Sequence, residues 1–255
     1  MKVDLSGKVA LVTGAARGIG QSIADMMTEN GARVVYTDII PIETNVLNYR
    51  AMTMDVRDEA QVKEVVAAIV KEFGQIDILV NNAGINTLHH RVPIDEFPRE
   101  EWDKILDVDL TGLYLVSKEV GAVMRLRGEG RIINIASVVG LVPLRLQCAF
   151  VAAKAGVVNL TKSMAMELGS AGINVNCIAP GSILTEGTKD LFYGENGKFK
   201  ESVQSLIDHI PQGRPGRPEE IAAAALFLAA PEASYVNGAI LTVDGGWLAG
   251  YVRDF

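Results

Sequence analysis

The chain is poor in the residue types that mark several whole classes of protein. It has only two cysteines, Cys148 and Cys177, and three histidines, His89, His90 and His209. Both cysteines stand in apolar surroundings and share no metal-ligand spacing with each other or with the histidines, which predicts buried thiols rather than a disulfide framework or a metal site. Positive charge is not in excess: 24 Lys and Arg against 31 Asp and Glu leave a net charge of -7. Nucleic acid and anionic membrane surfaces recruit clustered cations, so neither is an expected partner. No apolar run reaches the roughly 18 residues of a membrane span. The opening MKVDLSGKVALVTG lacks the charged, apolar and small-residue regions of a secretory leader. The expectation is a cytoplasmic protein with a small-molecule ligand. Low-complexity tracts, Pro/Ser-rich linkers and internal repeats are also missing, which predicts one domain over residues 1–255.

What is present is a hydrophobic content of 49%, enough for a substantial core, arranged in a regular alternation. Short β-branched runs fall at Lys8 to Thr13, Arg33 to Thr37, Arg50 to Met54, Ile78 to Val80, Arg131 to Ala136, Asn174 to Ile178 and Ala239 to Val243. Between them lie segments with helical spacing. In one of these, after Asp58, a single stripe carries Val62, Val65, Val66, Ile69, Val70 and Phe73. Continuous apolar strands separated by amphipathic helices predict an α/β fold: a doubly wound Rossmann fold with a seven-stranded parallel sheet and helices on both faces. The least regular stretch, Ser182 to Arg217, follows the sixth strand. An insertion there lies over the binding crevice, so it is expected to cover substrate as a lid.

The first strand runs into Thr13-Gly14-Ala15-Ala16-Arg17-Gly18-Ile19-Gly20, and a helical stripe through Ile23, Met26 and Met27 follows. Strand, glycine turn and helix in that order form a dinucleotide cradle. Gly14 permits the tight turn, Gly18 lets the backbone approach a pyrophosphate, and Gly20 allows close helix and strand packing. Asp38 ends the second strand about twenty residues further on, where a carboxylate accepts from the adenosine ribose hydroxyls and repels a 2′-phosphate. NAD is therefore expected over NADP, although Arg17 in the glycine loop could pair with such a phosphate. Asp55-Val56, at the end of the third strand, suits either the adenine amino group or a helix N-cap before Glu59.

Taken together, these marks resemble the short-chain dehydrogenase/reductase family along essentially the whole chain. They are Thr13-Gly14 through Gly20, Asn81-Asn82-Ala83-Gly84, Ser137, Lys154, Pro180-Gly181 and Val243-Asp244-Gly245-Gly246. The resemblance implies reversible alcohol oxidation. It implies that Asn81, Asn82, Ala83 and Gly84 line the cofactor, that Pro180, Gly181, Ile183 and Thr185 hold its nicotinamide end, and that the last strand and long helices build a homotetramer. In the family a tyrosine four residues before the lysine removes the hydroxyl proton. That spacing puts both side chains on one helix face, where an ammonium draws the phenol's pKa down from about 10. The serine, thirteen residues before the tyrosine, hydrogen-bonds the substrate oxygen. Counting from Ser137 and from Lys154 reaches the same position, and it holds Phe150.

Phenylalanine keeps the ring but has no proton to move, and losing such a group costs roughly 10²- to 10⁴-fold in rate. Two explanations stand. Phe150 was introduced to stop turnover while preserving ligand binding, or the natural protein binds a nucleotide as a regulator or scaffold without this chemistry. A second departure is Asp109, in Asp107-Val108-Asp109-Leu110 on the long helix after Trp102, where the family often has asparagine. The asparagine's implied work is to bend the helix through a water and extend a proton relay to the lysine, and an aspartate accepts from that water too. Substrate specificity is expected from Ile85 to Arg91, Val138 to Gln147 and the lid. Arg145, Gln147 and Tyr193 are candidate contacts there, in a mixed lining that suits sugars, polyols or hydroxy acids. The apolar end, with Trp247, Leu248, Tyr251 and Phe255, suits subunit packing.

Overall fold

The computed structural model describes residues 3–43, 49–87, 90–186, 188, 203–204 and 207–250. Seven parallel strands form one sheet in the order β3-β2-β1-β4-β5-β6-β7. They are β1 (Val9–Thr13), β2 (Arg33–Asp38), β3 (Arg50–Thr53), β4 (Ile78–Asn81), β5 (Gly130–Ile135), β6 (Ile173–Pro180) and β7 (Ile240–Val243). All seven anticipated strands are present, with ends displaced by a residue or two. Side-chain alternation splits the core into two layers. Ala10 and Val12 of β1 face one cluster with Ile23, Met27 and Leu228, whereas Val9 and Leu11 face another with Val62, Ile69 and Val116. Strands buried on both faces explain why they are apolar throughout rather than alternating.

The first cluster is covered by α1 (Gly18–Glu29) and α6 (Pro218–Ala229), and the second by α2 (Glu59–Phe73), α4 (Leu113–Arg127) and α5 (Cys148–Gly169). The stripe of α2 faces inward as expected. Its N-cap is Asp58, whose carboxylate accepts from the amides of Ala60 and Gln61, while Gly74 ends it in the left-handed region at φ 79°. Asp55 is thus not the cap that its position before Glu59 allowed.

The long helix after Trp102 is not uniform. It begins as α3 (Arg99–Leu106), widens into a π segment over Asp107–Gly112, and continues as α4. At Gly112 an added Cβ would lie 2.6 Å from Val56 Cγ2, so the widened turn passes close beneath β3's end. Such bulges redirect side chains toward functional sites, and here the side chain so placed is that of Asp109.

The insertion after β6 is closed at its base. The amide of Leu184 donates to the Gly216 carbonyl (2.9 Å) and that of Gly216 to the Ser182 carbonyl (2.8 Å). Val203, Ile207 and Ile210 pack there against Leu184 and Trp247. Most of the expected lid, Tyr193 included, lies outside the described residues, as do Leu88, His89, Tyr251 and Phe255. Among the described residues no helix is long and apolar enough to cross a membrane.

Candidate active site

A cleft of about 1100 Å³ opens along the carboxyl ends of the strands and runs from the glycine turn to α5. Its first wall is local backbone geometry. Gly14 and Gly18 adopt φ of 64° and 60°, conformations that cost side-chain-bearing residues, and an added Cβ on Gly14 would lie 2.8 Å from Ala83 Cα. Asn82 braces the turn: its Nδ2 donates to the carbonyls of Thr13 (3.0 Å) and Gly14 (2.9 Å). The amides of Asn82 and Ala83 both donate to Thr13 Oγ1. Arg17, Gly18 and Ile19 line the cleft where α1 begins, with the free amides of a helix N-terminus. Gly20 does not line it. Its place is beneath the turn, where a Cβ would come within 2.1 Å of the Gly14 carbonyl oxygen. The donor set and the glycine cradle fit a dinucleotide pyrophosphate.

At the far end of this wall, Asp38 is fixed by backbone donors: Ala16 (3.1 Å), Ile39 (2.7 Å) and Ile40 (3.3 Å) all give hydrogen bonds to its carboxylate. Asp55 and Val56 line the cleft beside it. The Asp55 carboxylate is bound by the Arg57 guanidinium at 2.6 Å, which holds its pKa below the usual carboxylate range. Ile39, Ile40 and Arg57 also face the cleft and were not singled out from sequence; their signal was only adjacency to Asp38 and Asp55.

Asn81 is placed differently from the implied cofactor contact. It is buried in β4, where its Nδ2 donates to Ser117 Oγ and Asn134 Oδ1, both at 2.9 Å. The pleat turns its side chain into the helix layer. Asn82, Ala83 and Gly84 are the residues of that run that line the cleft, as do Pro180, Gly181, Ile183 and Thr185 on the opposite wall.

At the closed end, α5 presents Phe150 and Lys154 one helical turn apart, with Ser137 facing them from the turn after β5. The Lys154 Nζ lies 5.6 Å from the Phe150 ring centroid and donates to the Ile135 carbonyl at 3.2 Å. Phe150 packs against the buried cluster of Ile105, Ala149 and Ala153. Ser137 Oγ accepts from the Val139 amide at 3.3 Å, which leaves its proton free for a ligand oxygen.

Asp109 is not separated from the lysine by a water. Its Oδ2 lies 3.0 Å from Lys154 Nζ, and its Oδ1 accepts from the Ile85 amide at 2.7 Å. The Asp109 side chain is fully buried and that of Lys154 is 7% exposed. Burial pushes the Asp109 carboxyl upward, against the Lys154 ammonium and the Ile85 amide that hold it down. Gly84 lies close beside this pair: a Cβ there would come to 3.1 Å from Asp109 Oδ2 and 3.3 Å from Lys154 Nζ.

Of the expected substrate contacts, Gln147 is buried and lines the cleft. Arg145 is exposed and outside the lining, and the next residue, Leu146, adopts a φ of 63°. Trp247, expected at a subunit contact, is half-buried in the single chain and lines the cleft. Gly245 and Gly246, both at positive φ, turn it back onto Val203 and into the cleft. Cys177 is buried and its thiol is pushed up to about 11 by desolvation; Cys148 is half-buried, and both are free thiols. Among the described residues no group of three His, Cys, Asp or Glu side chains is arranged to hold a metal.

Comparison with known proteins agrees with this construction. A family model described as enoyl-(acyl carrier protein) reductase matches residues 14–248. The chain is 42% identical over 250 residues to a 3-oxoacyl-(acyl-carrier-protein) reductase of Vibrio cholerae, spanning 96% of this chain and 98% of that one. It is 39% identical to an NAD-dependent glycerol dehydrogenase of Listeria innocua, over 96% of this chain and 95% of that one. A solved structure from Agrobacterium tumefaciens, provisionally assigned as a 2-deoxy-D-gluconate 3-dehydrogenase and holding NADP, superposes with a TM-score of 0.86 at 37% identity, covering 97% and 98% of the two chains. With the glycine cradle, the Ser137–Phe150–Lys154 face and whole-length similarity to these oxidoreductases, the chain belongs to the short-chain dehydrogenase/reductase family.

Proposed function

We propose that this protein is an NAD-dependent dehydrogenase that interconverts a secondary alcohol and its ketone, with turnover held down by Phe150. The observation that carries the reading is the convergence of Ser137, Phe150 and Lys154 on one end of a cleft whose other end is a dinucleotide cradle. A bound nicotinamide dinucleotide supplies the hydride acceptor. Ser137 holds the alcohol oxygen, and Lys154 lies on the face from which the hydroxyl proton leaves. At position 150 the ring is in place but the proton acceptor is not, which removes general acid/base catalysis while sparing the binding surfaces. The variety of this cleft's lining, with Gln147 and Ser137 beside Val139 and Leu144, supports a hydroxyl-rich substrate such as a sugar, polyol or hydroxy acid.

For the cofactor, the Asp38 carboxylate at the end of β2 supports NAD, since a 2′-phosphate would meet its charge. Arg57, which lines the same cleft as Asp38, is already paired with Asp55. The glycerol dehydrogenase relative is NAD-dependent by name, whereas the Agrobacterium structure holds NADP. Assembly as a homotetramer through the long helices and last strand is supported by the exposed apolar residues Leu126 on α4, Met166 on α5, Phe227 on α6 and Tyr235 before β7.

The test is turnover of Phe150→Tyr on a panel of polyols, sugars and hydroxy acids, followed by NADH absorbance. A gain of roughly 10²-fold or more is expected. If the tyrosine protein binds NADH yet stays inert on every alcohol, the second reading replaces the first: a nucleotide-binding regulator without dehydrogenase chemistry. One observation favours that alternative, the direct ion pair by which Asp109 occupies the Lys154 ammonium.

A further inference from the structure

The Asp109–Lys154 pair changes the charge of the catalytic end of the cleft. Asp109 Oδ1 accepts from the Ile85 amide at 2.7 Å, and its Oδ2 lies 3.0 Å from Lys154 Nζ, an ion-pair distance. Ser137 and Phe150 carry no charge, and burial keeps the Cys177 thiol neutral. At ion-pair distance the charges of Asp109 and Lys154 largely cancel, while Arg91 and Lys104, which also line the cleft, are common to all the proteins compared below. An asparagine at 109, as the family often has, would leave the buried Lys154 ammonium uncancelled.

We propose that Asp109 makes this site selective for the oxidised form of the nicotinamide dinucleotide. The inference rests on the cleft being the nicotinamide site, as argued above. The oxidised and reduced dinucleotides share adenosine, pyrophosphate and both riboses. They differ in the ring, which is cationic when oxidised and uncharged when reduced. A lone ammonium at the closed end would disfavour the cationic ring, and the Asp109 carboxylate removes that penalty. Because the shared parts cancel in the ratio of the two affinities, the ratio reports the charge at this end of the cleft and little else. A unit charge about 10 Å away, at an effective dielectric of about 20, shifts such a ratio by on the order of ten-fold.

The pair also explains why this specificity belongs to these two residues. Both are on rigid elements: Asp109 is turned inward by the π segment, and Lys154 is held on α5 by the Ile135 carbonyl. Gly84 leaves the space between them and the cleft open. The carboxylate therefore stays within reach of a bound ring without itself being displaced.

The experiment is calorimetric titration of NAD⁺ and NADH into the unmodified protein and three variants. Asp109→Asn, nearly isosteric and still able to accept from Ile85, is expected to lower the NAD⁺/NADH affinity ratio by about ten-fold. Asp109→Asn combined with Lys154→Gln removes both charges and is expected to return the ratio to that of the unmodified protein. Lys154→Gln alone keeps the carboxyl group and is expected to hold or raise the ratio. A purely structural role would not produce this pattern of fall and recovery. An unchanged ratio in Asp109→Asn, a failure of the double variant to recover, or a fall in Lys154→Gln each overturns the inference. If the unmodified protein binds neither NAD⁺ nor NADH, it is the proposed function that fails.

Discussion

Restoring a hydroxyl at position 150 should give an enzyme whose pH dependence is set by Asp109. The active base in alcohol oxidation is the phenolate, and whatever favours its charge lowers the pH at which the rate rises. Lys154 Nζ lies 5.6 Å from the ring centroid. At an effective dielectric of about 20, an ammonium at that distance favours phenolate by about 3 kcal/mol, or roughly two pH units below the ordinary 10. Asp109 opposes this. With its Oδ2 at 3.0 Å from Nζ, it is bounded to within about 8.6 Å of the ring centre. From there it takes back at least about 2 kcal/mol, or roughly 1.4 units. The midpoint of kcat/KM is therefore expected above about pH 9 in Phe150→Tyr and at least about 1.4 units lower in Phe150→Tyr with Asp109→Asn. Initial rates of NADH formation across pH, with substrate well below saturation, read this midpoint directly. Coincident midpoints, or an upward move when the carboxylate is removed, would refute the electrostatic account of the pair.

Two further perturbations probe the cofactor cradle. Asp38→Ala removes the carboxylate held by the amides of Ala16, Ile39 and Ile40. It should improve NADP binding relative to NAD by about ten-fold, the size of one lost charge repulsion, as read by calorimetry; tighter binding of NADP by the unmodified protein would sink the Asp38 argument. Gly20→Ala drives a Cβ to 2.1 Å from the Gly14 carbonyl oxygen and 2.3 Å from Asn82 Nδ2, and neither can move without disturbing the turn. A destabilisation of roughly 1–3 kcal/mol is expected, lowering Tm by several degrees, with weakened dinucleotide binding. A melt and an affinity both unchanged would show that the turn relaxes freely.

The sheet was legible because parallel strands are buried on both faces and so stand out as short apolar runs against amphipathic helices. The glycine turn was legible because Gly14, Gly18 and Gly20 each answer to a separate steric demand, two through positive φ and the third through contact with Gly14's own carbonyl. Other features depended on one-residue geometry that a pattern does not carry. Asn81 and Asn82 are neighbours, yet the pleat sends the first into a buried network with Asn134 and Ser117 and lets the second brace the cradle. The α2 cap fell to Asp58 because that carboxylate reaches the amides of Ala60 and Gln61, while Asp55 was taken by Arg57. Trp247 joins the cleft lining because Gly245 and Gly246 ahead of it adopt positive φ, which the apolar character of the segment does not reveal.

Asp109 is the instructive case. Read along the chain, aspartate for asparagine changes a single atom in a presumed water relay, and the change looks mild. In the fold, the π segment carries that atom to within 3.0 Å of an ammonium 45 positions later in the chain, in a place where both side chains are removed from water. Electrostatic consequence scales with desolvation and distance, not with how conservative a substitution looks. Phe150 and Asp109 then act on the same lysine in different ways. One removes the group whose pKa the ammonium would lower, and the other cancels the ammonium's charge. On the proposed reading each alone weakens proton transfer, and neither is part of the glycine cradle, Asp38 or Ser137. The two departures therefore leave the cradle and Ser137 in place, and both bear on the charge and proton chemistry around Lys154.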